Sequence, residues 1–333
     1  MISIGVIGCG DIGRILIRTL STIPTCQLKA ICDQNEKKLK ADPSGAPLAY
    51  RALDYNTLLG DRELRAIAIA TPTHTCFPIA KNALLAGKHV LVFSLTAFSK
   101  AEFEEILSIS RRSRLIVLGA QAEITSGVPN GIAEAIKHQP IGELRSIAIR
   151  RLTIREPERT GINPLEIAAT DISIILGLLQ ETPKRTHCHV DFTPNPSYRK
   201  SIRISLHFSR GRTAIINATS NASCDSYEIR IAGSSTSISL LNDCGSERSH
   251  RLAADTRKTK DFNRPHYRQP PEDELLGELL PTRFEQEPLR KSCLRFIYCI
   301  LNKNDLYAEH INLMKVITLL DSLPTRFTNN SYK

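Results

Sequence analysis

The 333-residue sequence predicts an α/β protein. An N-terminal Rossmann, doubly wound parallel sheet is followed by an α+β domain with an open, mostly antiparallel sheet. Three observations lead there. The chain opens with strand, glycine-rich turn, helix, strand and acid. Short apolar runs then alternate with helical segments up to Leu118. Beyond Pro140 the pattern becomes a succession of strand-like runs.

The opening is the most informative stretch. Ile2, Ile4, Val6 and Ile7 form an apolar strand that ends at Gly8-Cys9-Gly10-Asp11-Ile12-Gly13, a G-x-G-x-x-G. Ile12, Ile15, Leu16, Thr19 and Leu20 follow at helical spacing, and Leu28–Cys32 is a second strand ending in Asp33. Asp33 stands twenty positions after Gly13, the offset of a dinucleotide fingerprint. In that fingerprint Gly8 makes the tight turn and Gly10 lets a diphosphate approach the backbone. Gly13 brings helix and strand close, and the N–H groups of Asp11, Ile12 and Gly13 face the anion. Asp33 would accept from a ribose 2′-hydroxyl and repel a 2′-phosphate, which favours NAD over NADP. Lys37 and Lys38 weaken that preference, and NADP stays open.

Further elements are expected in order. Asn35–Lys40 is a short helix, Pro43–Pro47 a loop, Asp54–Leu59 a helical turn, and Arg65–Ala70 a buried strand ending at Thr71-Pro72-Thr73-His74. Phe77–Ala86 is a helix closed by Gly87. His89–Val92 is a strand, Ser99 opens a helix to Arg112, and Leu115–Leu118 is a strand. Carboxyl ends of parallel strands converge on the ligand crevice, so Thr71, Pro72, His74, Ser94, Gln121 and Glu123 join Gly8–Gly13 and Asp33 as candidates. Domains are expected at 1–120 and 121–333, with the C-terminal helices packing back on the first. In the second, Leu144–Arg155 is a long strand and Leu165–Leu179 a helix. Strands follow at Thr186–Asp191, Ser201–Phe208, Arg212–Thr219, Ser226–Ala232 and Thr236–Leu241, with a hairpin turn at Arg210–Arg212. Asn242–Glu285 is polar and reads as loop; Leu289–Ile300 and His310–Leu320 are helices.

Composition narrows the function. The net charge is +10, but it is dispersed, and aromatic residues make up only 5%. No stacking platform for nucleic acid is evident, and a solvated basic surface attractive to anionic substrates is the better reading. No run approaches the ~18 apolar residues of a membrane span, and the sequence starts directly with a strand. A soluble cytoplasmic protein is expected. Nine cysteines without a C-x-x-C are neither a disulfide framework nor a zinc ribbon, and His187-Cys188-His189 reads as strand surface. No metal is expected.

Several segments together carry a resemblance: Gly5–Gly10, Ala70–His74, Ala86–Val92, Gly142–Leu144, Glu166–Ile175, Tyr227–Gly233 and Glu287–Leu320. The chain resembles the glucose–fructose oxidoreductase / inositol dehydrogenase / MocA-like (Gfo/Idh/MocA) family of NAD(P)-dependent oxidoreductases. Its Glu166–Ser173 stretch is most similar to members acting on nucleotide-linked sugars. The resemblance implies a sugar, sugar nucleotide or related small molecule as substrate. It also implies a homodimer or homotetramer built on the open sheet. Two places depart from the family pattern. Where the family usually has Glu-Lys-Pro, this chain has Phe93-Ser94-Leu95, so the family's proton-handling lysine is Ser94. Where it has Asp-Leu-x-Pro-His-Asp, this chain has Glu166-Ile167-Ala168-Ala169-Thr170-Asp171, so the catalytic histidine position is Thr170.

Alcohol oxidation needs a base within hydrogen-bond reach, and losing one costs ~10²–10⁴-fold. Ser94 and Thr170 cannot serve alone, which leaves Asp171, Glu166, Glu123 and His74. Reduction of an imine would ask less of the protein. The expectation is an oxidoreductase with a rearranged site; the alternative is a catalytically inactive NAD(H)-binding sensor or partner subunit.

Overall fold

The computed structural model describes residues 1–40, 45, 48–93, 98–120, 141–152, 164–191, 201–219, 226–243, 251–255, 287–304 and 306–323. The chain divides into two compact units, Met1–Ser126 with Phe284–Thr318, and Gly127–Arg283 with Leu319–Lys333.

The first unit contains strands β1 (Ile2–Ile7), β2 (Cys26–Cys32), β3 (Tyr50–Ala52), β4 (Ala66–Ile69), β5 (His89–Val92) and β6 (Val117–Gly119). They form one sheet in the order β3-β2-β1-β4-β5-β6, with every pairing parallel. A parallel sheet covered on both faces needs apolar residues at both parities, and the strands supply them. Ile4, Val6, Ala66, Ala68 and Leu91 face one layer, where α1 (Asp11–Ser21) contributes Leu16, Ile17 and Leu20. Helix α7 (Glu287–Asn302) adds Leu289, Cys293, Phe296 and Ile297 to the same layer. Ile7, Ile67, Ile69, Val90 and Val92 face the other layer. There α3 (Tyr55–Gly60), α4 (Thr73–Leu85) and α5 (Lys100–Ser113) supply Leu58, Ile79, Leu84, Phe103 and Ile106. α2 (Glu36–Lys40) follows β2. α5 starts at the expected serine, and Ser99 and Glu102 complete a reciprocal capping box.

Two expectations need correction here. Helix α4 begins at Thr73, not Phe77. Pro78 invites a start beside it, since proline suits a first turn, yet the helix runs through it although Pro78 has no N–H to give. Strand β3 was not expected; at three residues on a sheet edge it carries too short a pattern to be read from sequence.

The second unit holds β7 (Leu144–Leu152), α6 (Pro164–Leu179), β8 (Arg185–Asp191), β9 (Ser201–His207), β10 (Thr213–Thr219), β11 (Ser226–Gly233), β12 (Ser237–Asp243) and β13 (Arg251–Asp255). The sheet order is β13-β12-β11-β7-β10-β9-β8. Only β7–β10 is parallel among its pairings; the rest are antiparallel. Strand alternation puts Ile147, Ile149, Ile202, Ile204, Ile216, Ile229 and Ile231 inward and leaves Ala148, Arg150, Arg203, Ile215 and Arg230 exposed. α6 packs on β9 and β10 through buried residues that include Ile172 and Ile175. The turn before β10 is a single 3₁₀ turn, with Arg210 at φ 55°. The polar stretch read as loop after Asn242 contains β13. α8 (Tyr307–Ser322) ends the described helices. Among the described residues no helix is long and apolar enough to cross a membrane.

Candidate functional site

Strand order reverses between β1 and β4, so the loops after them leave in opposite directions and open a crevice. The loop after β1 needs glycine because it packs directly on the loop after β4. Gly8 has φ +97°, and a Cβ on it would lie 2.5 Å from the Ala70 carbonyl oxygen. A Cβ on Gly13 would lie 1.9 Å from the Gly8 carbonyl oxygen, so helix and loop touch backbone to backbone. Around Gly10 nothing lies within 4 Å of such a Cβ; this is the open point of the loop. Gly10 is also the N-cap of α1, with no side chain to satisfy the first turn. The N–H groups of Asp11, Ile12 and Gly13 are the orphan donors of that helix end, while Arg14 N–H already donates to Gly10 O at 2.8 Å.

Asp33 fastens this loop. Its Oδ2 accepts from Cys9 N–H at 2.8 Å and its Oδ1 from Asn35 N–H at 2.8 Å. A carboxylate oxygen accepts more than one donor, so the half-buried Asp33 retains capacity for a ribose hydroxyl. Cys9 and Cys32 lie under the loop, fully packed. Burial, with Asp33 adding to it, pushes the Cys32 thiol up to about 12, which keeps it an inert thiol. Lys37 and Lys38 are exposed.

At the end of β4, Thr71 O accepts from Cys76 Sγ at 3.3 Å, and Thr75 Oγ1 donates to Pro72 O at 2.7 Å. These bonds hold the turn, with Pro72 and His74 exposed at the start of α4. Ser94, Gln121 and Glu123 lie outside the described residues. Lys88 shows that a perturbed group need not mark chemistry. It is buried at the opposite, amino-terminal edge of the sheet, and its Nζ donates to Asp61 O at 2.6 Å and Leu64 O at 2.8 Å. Burial lowers its pKa, and it serves to hold two carbonyls.

The remaining candidates are on α6. Glu166 is in the helix, with its side chain outside the described residues. Thr170 is buried. Asp171 is fully buried; its Oδ1 accepts from Arg151 at 2.7 Å and lies 3.3 Å from the Tyr227 hydroxyl. The Arg151 guanidinium also sits 4.3 Å from the Tyr227 ring centre. Arg151 and Tyr227 are register partners on β7 and β11, so one cross-strand pair reaches the acid of the covering helix. This trio went unrecognised in the sequence, although a signal existed. Arg151 has the inward parity of Ile147 and Ile149, and an inward arginine needs a buried acid. His187 and His189 are exposed on β8 as expected, and among the described residues no group of three or more His, Cys, Asp or Glu could hold a metal ion.

Comparison with known proteins bears on the first unit most directly. Residues 2–118 match the sequence model of an oxidoreductase family with an NAD-binding Rossmann fold. The uncharacterized oxidoreductase YrbE of Bacillus subtilis is 24% identical over 232 residues, 66% of this chain and 67% of its own. The UDP-N-acetylglucosamine 3-dehydrogenase of Acidithiobacillus ferrooxidans is 27% identical over 176 residues, 53% of this chain and 50% of its own. The second match thus spans about half of the relative's length. In fold, the chain is similar to KijD10, a 3-ketoreductase from Actinomadura kijaniata solved with NADP and TDP-benzene. The TM-score is 0.78 at 18% identity, covering 97% of this chain and 96% of that one. Biliverdin reductase from Synechocystis, solved with biliverdin and NADP+, gives a TM-score of 0.76 at 18% identity, covering 96% and 97%.

Proposed function

From an N-terminal domain that belongs to the Gfo/Idh/MocA oxidoreductase family, we propose that the chain is an NAD(P)-dependent oxidoreductase acting on a sugar, sugar nucleotide or related small molecule. The observation that carries this reading is the glycine loop: Gly8 and Gly13 tolerate no side chain, and an uncapped helix start stands beside Asp33. A bound nicotinamide dinucleotide supplies hydride transfer. The protein's part is to seat the diphosphate on the Asp11–Gly13 N–H groups and the ribose on Asp33, with Thr71, Pro72, His74, Ser94 and Gln121 completing the crevice. Relatives named for a nucleotide sugar, and a fold neighbour solved with a TDP derivative, support the substrate class. In this reading Ser94, Glu166, Thr170 and Asp171 are the candidates for handling the substrate and its proton. The open face of the second sheet meets another copy in a homodimer or homotetramer.

A second reading, an inactive NAD(H)-binding sensor or partner subunit, draws support from Asp171. The acid that could replace a missing base already accepts from Arg151 and neighbours the Tyr227 hydroxyl. Calorimetry with NAD(H) and NADP(H) tests the shared premise. NAD is expected to bind more tightly, and Asp33→Ala to erase that preference. Failure of the intact chain to bind either dinucleotide overturns both readings. Turnover on a panel of sugars and sugar nucleotides then separates them: a kcat above roughly 1 s⁻¹ excludes the sensor. A chain that is silent on the panel, and stays silent with Ser94→Lys and Thr170→His while binding NAD normally, favours it.

A further inference from the structure

Among the described residues nine large apolar side chains are exposed, and five of them lie on three helices of the first unit: Ile15 on α1, Leu294, Tyr298 and Leu301 on α7, and Ile311 on α8. Helices α1 and α7 bury their inner sides in one layer, so their outer faces turn the same way. Arg290 Nη1 donates across to Thr22 Oγ1, just past the end of α1, at 2.9 Å. Leu294, Tyr298 and Leu301 stand at i, i+4 and i+7, a single stripe, and are 40%, 57% and 49% exposed. Cations border that stripe on both sides. Arg290, with the exposed Arg18 beyond it, is on the α1 side. Lys291 and Arg295, four residues apart, are on the other, where Arg295 pairs with Glu309 of α8. Among the exposed residues described on α1 and α7, Asp11 is the one acid.

An apolar stripe on the ridge of a helix, with cations on both flanks, has the cross-section of a surface that enters a bilayer interface. The apex reaches the boundary of the acyl chains while the flanking stems hold their charges at the headgroups. Tyrosine suits that depth, apolar in body and polar at its tip. A second copy docked on the same patch by two-fold symmetry would set these cations against their own counterparts, and a ridge offers a partner helix no groove to fill. We infer that the α1–α7 face is a peripheral attachment surface for an anionic membrane. Leu294, Tyr298 and Leu301 insert, and Arg18, Arg290 and Lys291 meet the lipid phosphates. The chain's net charge of +10 draws it toward such a surface.

Co-sedimentation with vesicles tests this. The intact chain should bind vesicles of phosphatidylcholine and phosphatidylglycerol in equal parts, bind pure phosphatidylcholine at least ~10-fold more weakly, and release as salt is raised. Tyr298→Ser with Leu301→Ser should weaken binding by ~10-fold or more. Arg18→Gln with Lys291→Gln should weaken it by roughly 10- to 30-fold and make its salt dependence shallower. All four side chains are exposed, so melting temperatures should hold. The chain has no tryptophan, so Tyr298→Trp and Leu85→Trp are single reporters, the first on the patch and the second exposed on α4, in the opposite layer. Mixed vesicles should blue-shift the fluorescence of the first and leave the second unchanged. Absence of binding to mixed vesicles overturns the inference, as do equal shifts at the two reporters or full binding by both double variants. A chain that ignores vesicles but is a dimer in light scattering, and a monomer with Tyr298→Ser, would assign the face to a second copy instead.

Discussion

Asp33 and Asp171 each anchor a neighbouring segment, and they do so in opposite ways. Asp33 sits half-buried at a strand end and spends its oxygens on backbone N–H groups of a loop that stays open at Gly10. Asp171 is wholly enclosed and answered by a guanidinium and a phenol from two adjacent strands. The first arrangement leaves donors and lone pairs over, at a helix start without a side-chain cap. The second closes on itself. An incomplete polar set at a strand's carboxyl end points to a ligand, whereas a complete one inside a sheet points to stability.

The strongest test of this contrast is steric. Gly13→Ala should abolish measurable dinucleotide binding, at least ~100-fold, because its Cβ would meet the Gly8 carbonyl oxygen, and backbone cannot step aside. Gly10→Ala, with open space around it, should keep the melting temperature and lose affinity only through the ligand's approach. Equal behaviour of the two variants in calorimetry breaks the distinction between a built loop and an open one.

Next in size is the buried pair. Arg151→Met removes the charged partner of the buried Asp171 carboxylate and should cost about 3–5 kcal/mol in denaturant unfolding; adding Asp171→Leu should recover most of it. If Asp171→Asn instead leaves stability intact and removes turnover, Asp171 belongs with the chemistry and the comparison fails.

The smallest effect concerns His89. Its Nδ1 accepts from Ile116 N–H at 2.9 Å, and burial, helped by Arg65, lowers its pKa from 6.5 to about 4. The folded protein thus resists a proton that the unfolded chain accepts. Stability is level above pH 6.5, declines as the pH falls toward about 4, and flattens below. His89→Asn, whose amide oxygen can take the Ile116 bond, should flatten that part of the melting-temperature profile.

The sequence shows these two regions unequally well. Gly8, Gly10 and Gly13 are legible because each answers a local backbone demand, and Ser99 with Glu102 because a cap and its partner lie three residues apart. Asp33 is legible as an acid at a strand end, but its bond to Cys9 N–H depends on how β1 and β2 lie in register. The Arg151–Asp171–Tyr227 set joins residues from β7, α6 and β11, so only its inward parity shows in the chain. β3 and β13 escape notice because edge strands of three and five residues take their shape from a neighbour more than from their own pattern.

One feature of the first unit has a meaning in time as well as space. Its layer beside α1 is finished by Leu289, Cys293, Phe296 and Ile297 of α7, while residues 127–283 intervene. At about 5–20 residues per second of synthesis, the nascent sheet waits roughly ten to thirty seconds with that apolar surface uncovered. The glycine loop emerges well before the helix that seals the body supporting it. Chaperones that shield apolar surface have that interval in which to act, and a chain stopped before Glu287 would carry the cofactor motif on an unfinished core.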